Sequence, residues 1–203
     1  MIETLNRYDT WLFYQVNHHH CTTMDWVMWV LSQHWSWAVV LAAAFAFITL
    51  RREPKRWWVA VAGVVLCFLL ADQGSVHLFK ETVCRLRPCH VLEDVRMFRT
   101  HCGGRYGFVS SHAANSFAIA VFMLLRYGRR DGKATGPHDR WRSLVGPMLL
   151  LLWAAGTSYS RAYLGKHYPG DLLCGALFGV LVGGLVWWLT LFFEKKIYAR
   201  ETK

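Results

Sequence analysis

Three short clusters hold the residues that can do chemistry. The first runs Lys80-Glu81-Thr82-Val83-Cys84-Arg85-Leu86-Arg87-Pro88, and the second is Val109-Ser110-Ser111-His112. The third is Ser160-Arg161 followed by His167-Tyr168-Pro169-Gly170-Asp171. Together they supply cations, hydroxyls, two imidazoles and a carboxylate, an inventory for binding a phosphate and moving it onto a nitrogen nucleophile. Arginine suits phosphate because its planar fork gives two parallel hydrogen bonds. Pro88 restricts the backbone of Arg87 and so helps to aim it. Ser110, Ser111 and His112 open an apolar segment, where a helix start offers free backbone N–H groups and partial positive charge. Ser110 or Ser111 is expected to cap that helix, and His112 is placed to protonate a leaving oxygen. His167 and Asp171 are four apart, with Pro169 suited to a first helical turn between them. A carboxylate accepting one imidazole N–H fixes the tautomer and leaves the other nitrogen free to attack.

The elements that position these clusters are apolar. The chain has 203 residues, 54% of them hydrophobic, with a formal charge of +10. The apolar residues gather into blocks of roughly 20, enough to cross a hydrocarbon core of about 30 Å. Five spans are expected, over about Asp25–Leu50, Trp57–Leu78, Phe108–Leu125, Leu144–Tyr159 and Leu172–Phe193. Leu5–Val16 is apolar but interrupted by Arg7, Asp9 and Gln15, and is expected to lie in the interface rather than span. The predicted fold is therefore all-α: a polytopic membrane helix bundle of five to six transmembrane helices with an N-terminal interfacial helix. Residues 1–203 are read as one membrane-embedded domain, with residues 1–24 interfacial and residues 57–193 bearing the motifs. No apolar stretch follows a basic start, so insertion is expected to rely on the spans themselves.

Fourteen of the 23 basic residues sit in the Arg51–Arg56 turn, the Arg126–Arg142 loop and the tail from Lys195. The positive-inside rule puts these in the cytoplasm and the three clusters on the outer face. Trp57, Trp58 and Trp141 fall near cytoplasmic span ends and Trp26 and Trp29 near an outer end, as interfacial anchors do. The segment Gly128–His138 reads as a cytoplasmic loop. Gly175, Gly179 and Gly183 share one face of the last span, where small residues admit a close helix neighbour, expected within the monomer. Cys67 and Cys174 read as small buried residues. Cys89 and Cys102 are placed to close the outer loop by a disulfide, with free thiols the alternative. The histidines at 18–20, 90 and 101 match no closed ligand set, so no metal or cofactor is expected.

The chain resembles the type 2 phosphatidic acid phosphatase superfamily of integral membrane lipid phosphatases. The first motif of that family, Lys, six residues, Arg-Pro, is Lys80 to Arg87-Pro88. Its third, Ser-Arg, five residues, His, three residues, Asp, is Ser160-Arg161, His167 and Asp171. The second, Pro-Ser-Gly-His, is altered: Val109 and Ser111 replace the Pro and Gly, while Ser110 and His112 are kept. The resemblance covers roughly Trp57–Phe193 and implies a metal-independent mechanism. His167 would form a phosphohistidine, His112 would protonate the leaving oxygen and Asp171 would orient His167. Lys80, Arg87, Ser110, Ser111 and Arg161 would hold the phosphoryl oxygens.

It implies hydrolysis of a lipid phosphate or diphosphate at the outer face of a bacterial-type inner membrane. Candidate substrates are an isoprenoid diphosphate, phosphatidylglycerol phosphate, phosphatidic acid and the phosphorylated glucosamine headgroup of lipid A. The expected partners are a phosphorylated lipid and the bilayer, with no nucleic acid and a monomeric state. A vanadate-dependent peroxidase and a non-catalytic anionic-lipid binder or transporter are the alternatives. The expected spans oppose the first, and the His167–Asp171 pair opposes the second.

Overall fold

The computed structural model describes residues 2–52, 57–128 and 137–201. Its helices are α1 Ile2–Asn17, α2 Thr22–Ser32, α3 His34–Arg52, α4 Trp57–Gly74, a π-turn Ser75–Lys80, α5 Glu81–Val83, α6 Pro88–Val91, α7 Ser111–Tyr127, α8 Pro137–Tyr163 and α9 Pro169–Glu201. Among the described residues the only extended pairing is one isolated bridge, Leu86 with Tyr106. The bundle has α7 at its centre, with α9, α8 and α4 packed around it.

α7 earns that place through small residues. Ala113, Ala114, Ala118 and Ala120 are all fully buried. α9 meets it with Gly175, Gly179 and Gly183. A methyl group on these would lie 2.7, 2.4 and 2.5 Å from the carbonyl oxygens of Ser110, Ala114 and Ala118. The expected glycine face is thus a close helix contact inside the monomer. The opposite face of α9 shows Leu173, Leu177, Leu181 and Leu185, which are 63, 57, 71 and 49% exposed. A leucine stripe facing outward, with glycine and alanine facing inward, suits hydrocarbon as the solvent.

The chain is a polytopic membrane protein. Trp57–Val83 and Pro169–Lys196 are long and apolar enough to cross a bilayer, with mean hydropathies of 1.9 and 2.2. The first expected span is corrected. Asp25–Leu50 is not one helix, because the chain breaks at Gln33 and bends by 71° between Thr22–Ser32 and His34–Ala46, a third crossing if the pair forms one broken span. Gln33 is extended (φ −83°, ψ 142°), and the polar run Ser32-Gln33-His34 offers no apolar continuity to carry a helix through. The second span does not stop at Leu78, since the π-turn carries it on to Val83. Lys55, Arg56, Arg129, Arg130, Lys133, Lys203 and the Trp141 side chain lie outside the described residues, so the sidedness expectation rests on sequence there.

α1 is more than a surface helix. Its Phe13 and Asn17 are fully buried. Asn17 donates to the carbonyls of Tyr163 (2.8 Å) and Arg96 (2.9 Å) and accepts from the Arg96 N–H (2.9 Å). Arg96 in turn grips Asp25 with both guanidinium arms, at 2.7 and 2.5 Å, and Tyr163 donates to the same carboxylate at 2.8 Å. One amide and one carboxylate thereby tie α1, α2, the 84–110 loop and the end of α8 together. That loop is closed by a disulfide between Cys89 and Cys102.

Candidate active site

The three clusters converge at one end of the bundle. A cavity of about 260 Å³ is lined by Lys80, Arg87, Ser111, His112, Arg161 and His167, together with His34, Trp37, Phe68, Asp72 and Asn115. Each cluster reaches it by a different local device. In the first, the π-turn brings Ser75 and Lys80, five residues apart, over the same partner. Lys80 Nζ donates to Ser111 Oγ at 2.5 Å, and Ser75 Oγ lies 2.6 Å from that oxygen. π-turns inside α-helices are frequent at functional sites for this kind of re-aiming. Arg87 is held by the loop: its Nε donates to the Tyr106 carbonyl (3.3 Å) and its backbone N–H to Arg105 (3.2 Å).

In the second cluster the expected cap is corrected. Ser110 holds the N-cap position, but its side chain makes no capping bond. Its N–H donates to the Asp171 carbonyl at 3.1 Å. Ser110 does not line the cavity, and its buried hydroxyl has no partner among the described residues. Ser111, which stands where the family motif has glycine, instead spends its hydroxyl on Lys80 and Ser75. His112 packs edge-on against Trp37, ring centres 5.3 Å apart, and beside His34 at 5.6 Å. Its Nε2 is buried without a partner among the described residues.

In the third, α8 ends in a tight reversal at Gly165 (φ +78°), where a side chain would collide with Val95 and Arg96. Arg161 is 5% exposed; its guanidinium donates to Ser32 Oγ at 2.7 Å. His167 Nδ1 lies 3.5 Å from Asp171 Oδ2, a contact still open rather than a closed hydrogen bond. Burial, and then repulsion from Arg87, Arg161 and Lys80, hold the His167 imidazole well below its ordinary pKa. The ring is therefore neutral at pH 7, the form with a free lone pair. Lys166 beside it is pushed down to about 8 by burial and by Arg161 and Arg87. Cations that depress one another in a cavity mark a place for an anion.

Two further residues belong to this cluster, and neither carries a role that its type and spacing announce in the sequence. Arg85 reaches Asp171 Oδ1 with one arm at 2.8 Å and Asp9 Oδ2 with the other at 2.7 Å. Its guanidinium lies 4.1 Å over the Tyr168 ring. Asp9, on α1, accepts the Gly170 N–H at 2.7 Å. With the Tyr168 N–H on its Oδ2 at 3.1 Å, the Asp171 carboxylate is fixed on both oxygens. The only sequence signal was an arginine two places before Arg87 and an acid in an otherwise apolar α1. Gly107 also matters, since a methyl group there would sit 3.0 Å from Asp171 Oδ2 and 3.6 Å from His167 Nδ1.

The PAP2 superfamily model matches residues 61–195. The chain is 34% identical to a lipid A 4'-phosphatase of Bacteroides thetaiotaomicron, over 98% of this chain and 83% of that protein. It is 28% identical to the lipid A 4'-phosphatase of Porphyromonas gingivalis, over 89% and 72%. Among solved structures, the transmembrane PAP2-type phosphatidylglycerolphosphate phosphatase of Bacillus subtilis superposes with a TM-score of 0.65, at 20% identity over 96% of this chain and 88% of that one. LpxE of Aquifex aeolicus does so with a TM-score of 0.58, at 21% identity over 86% and 92%.

Proposed function

Because the chain belongs to the PAP2 superfamily and is a membrane lipid phosphatase, we propose that it removes a phosphate monoester from a phosphorylated glycolipid of the lipid A class at the outer face of an inner membrane. The observation that carries the mechanism is the meeting of the neutral His167 ring, His112 and three cations in one cavity. His167 attacks phosphorus with its free ring nitrogen while the Asp171 carboxylate orients the ring by accepting a hydrogen bond from its Nδ1–H. The bond from phosphorus to the sugar oxygen breaks, and His112, which takes up a proton together with the phosphorylated substrate, passes it to that oxygen. Lys80, Arg87 and Arg161 neutralise the charge on the phosphoryl oxygens. Ser111 bridges Lys80 to the helix start, and Ser110 keeps α7 in register with Asp171. Water then attacks the phosphohistidine and gives its proton to His112, the bond from phosphorus to His167 breaks, and inorganic phosphate leaves with the ring free again.

The lipid A class is favoured by the two relatives named for it, one matched along almost the whole chain. The test is phosphate release by the purified full chain in detergent, in the presence of EDTA. The panel is lipid A, phosphatidic acid, phosphatidylglycerol phosphate and a polyprenyl diphosphate. Release is expected from lipid A at the highest kcat/KM, with the product lighter by one phosphate. Absence of release from every lipid would overturn the phosphatase mechanism.

A further inference from the structure

The cavity is larger than a phosphate requires, and its extra lining mixes polar and aromatic side chains. His112 marks the side on which the leaving oxygen departs. Besides the motif residues the wall is made by His34 and Trp37, which both pack on His112, by Phe68 and Asp72 from α4, and by Asn115 from α7. Asn115 stands one turn beyond His112 on the same helix. Its Nδ2 donates to Asp72 Oδ1 at 3.3 Å. Its Oδ1 is buried with no partner among the described residues, as is Trp37 Nε1. Asn115 itself is 4% exposed. Buried polar atoms in a native structure are nearly always satisfied, so those left open beside a cavity await something that enters it.

None of these groups suits direct contact with the phosphoryl oxygens. A carboxylate repels phosphate, and an amide oxygen accepts where phosphate also only accepts. The set fits the other half of the substrate. A carboxylate, an amide and an imidazole around an aromatic ring bind hydroxyl and amino groups on a compact, partly apolar ring. We propose that Asp72, Asn115, Trp37 and His34 form a leaving-group site for a sugar bearing free hydroxyl or amino groups. Asp72 and Asn115 bind those groups, and Trp37 and Phe68 pack on the ring. This rests on the lipid phosphatase reading and adds a selectivity to it. A polyprenyl diphosphate leaves as an anionic phosphate, which Asp72 opposes. A phosphorylated sugar leaves as a neutral alcohol, which Asp72 holds.

The test compares the wild type with Asp72→Asn and Asn115→Ala on three substrates in detergent: lipid A, a polyprenyl diphosphate and p-nitrophenyl phosphate. In each variant the kcat/KM for lipid A relative to p-nitrophenyl phosphate is expected to fall about tenfold or more, the worth of a hydrogen bond to a charged or buried group. In Asp72→Asn the ratio of polyprenyl diphosphate to lipid A is expected to rise by a similar factor. The aryl phosphate corrects for any change in folding or in Lys80. Unchanged ratios in both variants, or a wild type that prefers the diphosphate, overturn the sugar site and leave the phosphatase reading in place. A wild type that releases phosphate from p-nitrophenyl phosphate but from no lipid overturns both.

Discussion

At the scale of single residues, the division of labour between the two histidines gives the sharpest expectation. His167 is needed for every substrate, because the phosphoryl group passes through it. His167→Ala should therefore lose on the order of 10⁴-fold or more in kcat whatever the leaving group. His112 acts on the departing oxygen, so His112→Ala should lose roughly 10²–10⁴-fold on a lipid alcohol. On an activated aryl phosphate, whose oxygen leaves unaided, the loss should be far smaller. Equal loss on both substrates would remove His112 from the role of acid. The pH profile follows from the environment of His167. Burial and neighbouring cations depress its pKa, so the ring stays neutral down to below about 6.5, the value it has in the unfolded chain. The acid limb of kcat/KM that it governs should lie under that value. Stability changes in the same direction: below about 6.5 the unfolded state takes up a proton that the folded state refuses, so stability falls as pH falls. The residues of the motifs were legible in the sequence because their types and spacing are those that phosphate chemistry needs. Arg85 and Asp9 were not, because an arginine and an aspartate gain meaning only when folding sets them 2.7 Å apart.

At the scale of elements, apolar length revealed α4, α7, α8 and α9 as helices, though among the described residues only Trp57–Val83 and Pro169–Lys196 of the expected spans are each long and apolar enough to cross a bilayer unbroken. It could not reveal the break at Gln33, which apolar residues on both sides disguise as one long block. The π-turn at Ser75–Lys80 was equally hidden, because a register shift of one residue leaves composition untouched. α1 was the largest difference. Its mixed sequence reads as a helix lying on the membrane, yet Asp9, Phe13 and Asn17 point at the bundle and at the site. This gives α1 a positioning task, which kinetics can separate from a structural one. Asp9→Asn keeps the size of the side chain but weakens its grip on Arg85 and on the Gly170 N–H. Asp171 should then be held less firmly against His167. We expect kcat to fall about tenfold, the worth of one charge-assisted hydrogen bond, with KM for the lipid little changed. A shift in melting temperature with no change in kcat would make α1 an anchor only. Arg85→Gln is harsher, since it leaves the fully buried Asp171 without its cation, at a cost of about 3 kcal/mol in stability.

At the scale of the whole molecule, the remaining question is which side of the membrane the cavity faces. The bundle brings all three clusters to one end, and the loop that covers them carries a disulfide, Cys89–Cys102. Disulfides persist in oxidising compartments and are rare where glutathione keeps thiols reduced. Loop charge favours the same side through different residues. The basic turn at residues 51–56 and the basic loop at 126–142 both lie at the other end of the sequence's span pattern, and cytoplasmic loops hold the excess of Lys and Arg. Two independent properties, redox chemistry and loop charge, thus support the proposed outward placement of the site. The test uses single cysteines in a variant with Cys21 and Cys84, the exposed free thiols, replaced by serine and the disulfide kept. A cysteine at Glu93 reports the loop over the site, and one at Thr135 reports the basic loop. With a membrane-impermeant maleimide on intact spheroplasts, Glu93→Cys should label at once and Thr135→Cys only after lysis. The reverse pattern would turn the molecule over, expose the Cys89–Cys102 bridge to a reducing compartment and place the lipid phosphate on the inner leaflet.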